Sequence, residues 1–164
     1  MGMSVIIAAA RPDEAEQILK LQYLGYQSEA ELYGDWNLAP LTQTLESLKA
    51  ELAEHRVLVA RLGDEVVGTV RGWVDEDGVG RIGRLVVHPR MQRHGLGRRL
   101  LTALEAQLAE DGASSGYRLF TGHRSLGNLR LYRRLGYRET EVREVSRRMS
   151  IVTLAKPVQT SLAA

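Results

Sequence analysis

Leu85-Val86-Val87-His88-Pro89-Arg90-Met91-Gln92-Arg93-His94-Gly95-Leu96-Gly97-Arg98-Arg99 joins an apolar, β-branched run to the start of a leucine-rich helix. Val, Leu and Ile before Pro89 favour a strand, and the proline ends it. Gly95 and Gly97 stand just before the helical repeat of Leu100, Leu101, Leu104 and Leu108. Two glycines let the backbone bend so that successive N–H groups converge. With the positive end of the helix they form an anion site that needs no side chain. A glycine pair can also be a plain tight connection. The strand before it, the helix after it and Arg90, Arg93, Arg98 and Arg99 around it favour phosphate. A Walker loop requires Lys-Ser or Lys-Thr after its last glycine, where this chain has Arg98-Arg99. A Rossmann fingerprint requires a third glycine, where Leu100 stands.

Outward from this loop, the pattern alternates between strand and helix periods. Residues 4–9 read as an edge strand. Pro12, with Asp13, Glu14 and Glu16 after it, opens a helix expected to end near Gly25. Residues 26–40 have no clean period and read as a loop or broken helix. Leu41, Leu45, Leu48 and Leu52 predict a second helix to Glu54. Residues 56–62, 65–74 and 79–88 are strands joined by turns at Gly63 and Asp77-Gly78, which predicts an antiparallel meander. After the leucine helix come a strand at 117–121, a short helix at 128–135, and a last strand pair at 138–145 and 147–155. The order β-α-α-β-β-β-α-β-α-β-β predicts a mixed α/β fold, with residues 1–155 as one domain and 156–164 as a frayed tail.

The net charge of +2 conceals a division. Residues 1–80 hold 14 acids and 6 bases, and residues 81–164 hold 6 acids and 16 bases. Nineteen bases are arginine, whose planar fork suits phosphate. The basic half therefore points to an anionic partner. Nucleic acid is disfavoured because aromatic residues are not interleaved with the arginines. The absence of cysteine excludes disulfides and thiolate chemistry. His55, His88, His94 and His123 lack metal-ligand spacing, so no metal is expected. No apolar run reaches the ~18 residues of a membrane span, and a cytoplasmic protein without a membrane partner is expected.

Leu85-Val86-Val87-His88-Pro89 followed by Gln92-x-x-Gly95-x-Gly97 resembles the central motif of the GNAT superfamily of N-acetyltransferases. Leu129-Arg130-Leu131-Tyr132-Arg133-Arg134-Leu135-Gly136-Tyr137 resembles its second hallmark, a tyrosine four residues before Gly-aromatic. Tyr132 follows Gly97 by 35 residues with a strand between. The resemblance implies a GNAT fold, with a mostly antiparallel mixed sheet flanked by helices, and acetyl-CoA as cosubstrate. It implies that the strand ending at Val87 splays from the 117–121 strand to admit pantetheine. Backbone groups of Leu85, Val86 and Val87 would contact pantetheine and the thioester oxygen, with Val86, or its neighbour Val87, as the oxyanion donor. Gln92, Arg93, His94, Gly95, Leu96, Gly97 and Arg98 would hold the pyrophosphate, and Arg93, Arg133 or Arg134 the 3′-phosphate. Many members have an asparagine seven residues before the tyrosine. Here that position is Ser125, with Asn128 one turn on, and Asn128 is preferred for the contact.

The implied reaction is direct attack of a primary amine on the thioester, with Tyr132 as general acid to the departing thiolate. The base is open. Where some members carry glutamate this chain has Gly83-Arg84, leaving Glu29, Glu31, Asp75, Glu76, His88 or a water chain. Tyr23, Tyr26, Tyr33 and Trp36 would line an acceptor pocket or pack in the core, and the acidic N-terminal half suits a cationic acceptor, small molecule or peptide. A homodimer through the last strands is expected. The alternative is an acyl-CoA-binding sensor of the same fold without turnover.

Overall fold

The strand pattern closes into one seven-stranded sheet in a computed structural model that describes residues 4–158. Its strands are β1 (Val5–Ala9), β2 (Arg56–Leu62), β3 (Glu65–Val74), β4 (Gly80–Val87), β5 (Tyr117–Gly122), β6 (Arg138–Glu144) and β7 (Ser150–Lys156). They lie in the order β1-β2-β3-β4-β5-β7-β6. Every neighbouring pair is antiparallel except β4 and β5. Lys156 pairs with Tyr117, so β7 extends one residue past the expected 155. Residues 159–164 of the expected tail lie outside the described residues.

The helices are α1 (Ala15–Tyr33), α2 (Ala39–Thr42), α3 (Leu45–Glu54), α4 (Leu96–Glu110) and α5 (Leu126–Arg134). Side chains alternate along a strand, so Val57, Val59 and Val66 face one side and Leu58, Ala60 and Val67 the other. On the first side they pack with Ile18 and Leu21 of α1 and Leu48 of α3. On the second they meet α4 through Leu100, Leu101, Leu104 and Leu108, all fully buried. Each buried leucine contributes about 1.5–3 kcal/mol by leaving water. Glu105 on the same helix accepts from Tyr137 Oη at 2.6 Å and Lys156 Nζ at 2.9 Å. The hallmark Tyr137 thus fastens α4 to the sheet. Among the described residues no helix is long and apolar enough to cross a membrane.

Two expectations are corrected. Helix α1 continues through Gly25 to Tyr33 and stops at Gly34, whose φ is +63°. Gly25 is there for clearance: a Cβ on it would stand 2.4 Å from Val86 Cγ1. Its missing side chain lets α1 lie directly on β4. Gly25→Ala gains up to ~1 kcal/mol in helix propensity but meets an overpacking cost of ~1–3 kcal/mol. A net loss of about 1 kcal/mol is expected in urea unfolding. The helix expected from Leu41 is split into α2 and α3, because Thr44 caps α3 by accepting from Ser47 N–H at 3.1 Å.

Glu14 joins β1, α1 and β2. Its carboxylate takes Arg61 Nε at 2.6 Å and Nη2 at 2.7 Å, and accepts from Arg11 N–H at 2.8 Å. The Arg61 hydrogen bonds hold the Glu14 carboxyl below its ordinary 4.5. A depressed folded-state value means stability that is complete above 4.5 and lost as pH falls through the lower value. The stability advantage of wild type over Glu14→Gln should therefore shrink below about pH 4.5. Chemical denaturation at pH 7, 5 and 3 measures it.

Candidate active site

The loop before α4 leaves a run of donors unused. Among the described residues, the backbone N–H groups of Arg93, His94, Gly95, Leu96, Gly97 and Arg98 have no hydrogen-bond partner. The helical ladder begins only at Arg99 N–H, which reaches Gly95 C=O at 3.1 Å. Arg93 at φ +69° and Gly95 at φ +74° are left-handed, between the extended Gln92 and the helical Leu96. That backbone curls successive amides around one point, the nest geometry that binds anions. A Cβ on Gly95 would meet nothing within 4 Å, so the nest faces open space. A Cβ on Gly97 would stand 3.1 Å from Leu131 Cδ2, so this glycine lets α4 sit closely against α5. The site thus combines six free amides, a helix N-terminus and the exposed side chains of Arg93, Arg98 and Arg99.

Beside the nest, the sheet opens. β4 and β5 pair only at Gly80–Tyr117 and Arg81–Arg118, and past Arg81 the β4 edge has no strand partner. Opposite Arg71–Thr69 of β3 the register shifts, and Arg84 takes φ +56°. This bulge bends β4 away from β5. The alternation of an antiparallel ladder decides which groups face the gap. His88 N–H reaches Val67 C=O at 2.8 Å, which turns the backbone of His88 and Val86 toward β3. Leu85 and Val87 therefore present their N–H and C=O to the gap. Of the two backbone N–H groups expected at the oxyanion, that of Val86 faces β3 and that of Val87 the gap, while the Val86 side chain packs under Gly25.

Below the gap, α1 and α5 bring polar groups together. Arg124 N–H donates to Tyr33 Oη at 3.0 Å, Tyr33 Oη lies 2.8 Å from Ser125 Oγ, and Ser125 Oγ donates to Glu29 Oε2 at 2.6 Å. Since the amide must donate, the phenol proton is free to point at Ser125, whose own proton goes to Glu29. Ser125 is thus committed to this relay. Asn128 Nδ2 donates to Thr121 Oγ1 at 3.2 Å, which leaves its carbonyl available. Tyr132 is 5% exposed, and its hydroxyl has no partner among the described residues. Burial raises the Tyr132 phenol above its ordinary 10, with smaller contributions from Tyr26 and the Glu29 charge. Burial raises Tyr26 too, against the nearby Arg84 and Arg71 charges.

Of the four carboxylates weighed as bases, Glu29 reaches this cluster. Glu31 and Glu76 are exposed. Asp75 accepts from Asp77 N–H, Val79 N–H and Arg81 Nε, each within 2.9 Å. His88 accepts from Arg90 N–H at 3.2 Å and caps the turn at Pro89–Met91. Tyr23 bonds Gln43 C=O, and Trp36 is 56% exposed. Tyr33 is 1% exposed and serves the relay. Of the three arginines considered for a 3′-phosphate, Arg133 pairs with Glu139, while Arg93 and Arg134 have no carboxylate partner among the described residues. Among the described residues no group of three His, Asp or Glu could hold a metal ion.

A cavity of about 330 Å³ occupies the closed end of the gap. Its lining includes Arg71, Arg81, Arg84 and Arg118, with Trp73 and Phe120 as apolar walls. Arg84 and Arg118 were not foreseen as site residues. The available signal was the alternation on β5, where Arg118 and Phe120 share a face opposite the buried Leu119.

The Acetyltransferase (GNAT) family profile matches residues 16–137. A putative acetyltransferase from Salmonella typhimurium, yncA, solved with acetyl-CoA, superposes with TM-score 0.77 at 17% identity, covering 98% of each chain. The ribosomal-protein-S18-alanine N-acetyltransferase of Escherichia coli gives 0.76 at 16%, covering 96% of each. The PaiA N-acetyltransferase of Thermoplasma acidophilum, solved with coenzyme A, gives 0.74 at 16%, covering 92% of this chain and 98% of that one. No curated protein matches. A family profile that includes the nest, the splayed strands and Tyr132 leaves one assignment: the chain belongs to the GNAT acetyltransferase family.

Proposed function

We propose that this protein transfers the acetyl group of acetyl-CoA to the nitrogen of a primary amine by direct attack. The observation that carries the reading is the run of six unpartnered amides from Arg93 to Arg98 beside an unpaired strand edge. The pyrophosphate of the cosubstrate lies in that nest, with Gln92 and His94 flanking it. Pantetheine continues the sheet along Leu85 and Val87, supported by the Asn128 carbonyl. An N–H of that edge donates to the thioester oxygen as it becomes an oxyanion.

In the reaction the amine lone pair attacks the thioester carbonyl, the N–C bond forms and the C–S bond breaks. Glu29 is the carboxylate positioned to take the amine proton, directly or through one water. Tyr132 faces the departing sulfur. A thiol has an ordinary pKa near 8.5, below the raised phenol, so complete proton transfer from Tyr132 runs uphill. Its role is to donate a hydrogen bond that stabilises the thiolate as it forms. The general-acid role expected from the sequence is narrowed accordingly. The proton that finally reaches the sulfur is the one the amine loses.

Amine-dependent release of free CoA thiol, with the N-acetyl product identified by mass spectrometry, tests the reading. Acetyl-CoA that binds without turnover over a broad panel of amines would contradict it.

A further inference from the structure

Resting on the acetyltransferase reading, we infer that the 330 Å³ cavity between β4 and β5 is the acceptor site, and that the acceptor amine carries an anionic head, carboxylate or phosphate, on an apolar body. The cavity is of the size that holds a small molecule. It adjoins the reacting edge, since its Gly83 and Arg84 run directly into Leu85. A Cβ on Gly83 would meet nothing within 4 Å, so the passage along β4 is open.

The charge of the cavity is one-sided. Four arginines line it against a single carboxylate, Glu51. Arg71 is matched by Glu51 at 2.6 Å and by Gln22 and Gln43 at 3.0 and 2.7 Å. Arg81 is matched by Asp75 at 2.8 Å. Arg84 and Arg118 have no carboxylate partner among the described residues, and Arg84 Nε is buried with no hydrogen bond at all. A guanidinium without a carboxylate partner keeps its charge available to an acceptor oxygen that enters the cavity. A planar guanidinium matches carboxylate and phosphate oxygens alike. Trp73, stacked on His55 at 4.6 Å, and Phe120, 60% exposed, supply apolar walls. The cationic acceptor expected from the acidic N-terminal half does not suit this lining. Glu14 pairs with Arg61 and Glu51 with Arg71, so those acids are not free to receive it.

The test compares matched amines with acetyl-CoA present: phenylalanine against phenylalaninamide, O-phosphoethanolamine against ethanolamine, and spermidine as the cationic arm. We expect kcat/KM at least about tenfold higher for an anionic member than for its neutral match, and no turnover of spermidine. The pair with the larger ratio tells carboxylate from phosphate. Arg118→Gln should remove about tenfold of that preference, in line with the ~1.4 kcal/mol that a tenfold change represents. Gly83→Val should raise acceptor KM, since a Cβ there meets open space and the methyls it carries extend into the passage. Both variants should keep the wild-type Kd for acetyl-CoA by calorimetry. Normal acetyl-CoA binding with neutral or cationic amines used equally well, or with no anionic member acetylated, overturns this inference alone. Absent acetyl-CoA binding overturns the acetyltransferase reading and this one with it.

Discussion

Tyr132→Phe should lower kcat about a hundredfold while leaving the Kd for acetyl-CoA unchanged. Removing one preorganised donor from a developing negative charge costs about 10²–10³ in rate. In the resting protein the Tyr132 hydroxyl bonds to nothing among the described residues, so phenylalanine breaks no existing contact and the fold should be unaffected. Burial also holds the phenol above its ordinary 10, so the wild-type rate should show no alkaline decline from tyrosine ionisation below that pH. Steady-state kinetics beside calorimetry separate the two quantities. A sensor without turnover would show no rate to lose, and a tyrosine that only packs would leave kcat unchanged.

Gly95→Asp should weaken coenzyme A binding about thirtyfold. At φ +74° most side chains are strained, but aspartate and asparagine tolerate the left-handed region. A new carboxylate there would stand among the six free amides proposed to hold the pyrophosphate. Two unit charges about 5 Å apart repel by ~3 kcal/mol at an effective dielectric of 20, and solvent at this exposed loop reduces that to about 2 kcal/mol. Gly95→Asn makes the same backbone demand without the charge and should bind within a few-fold of wild type. Equal affinity of the two variants would show that the loop does not hold an anion.

The parts of the fold that depend on local period were legible. Strands β2 and β3 occupy the expected residues because the turn at Gly63 separates a β-rich run from an alternating one. The edge position of residues 4–9 and the leucine helix also stand as expected. What could not be read depends on contacts distant in the chain. Gly25 looks like a helix stop in one dimension, and only the approach of Val86, 61 residues later, shows why a glycine inside the helix is needed. The choice between Ser125 and Asn128 was equally open, because both lie on one helix face. Tyr33 and Glu29, from the segment that lacked a period, take up Ser125, while the Asn128 carbonyl stays free. Arg84 reads as the absence of an expected glutamate, and its opposition to Arg118 across two splayed strands has no local signature.

The nest at residues 93–98 is tested most directly by titrating the protein with coenzyme A and, separately, with pantetheine, which lacks the diphosphate and the nucleotide. Coenzyme A should bind at least a hundredfold more tightly, with an affinity that falls as salt rises. Equal affinity for the two, or no heat with coenzyme A at millimolar concentration, would contradict the account.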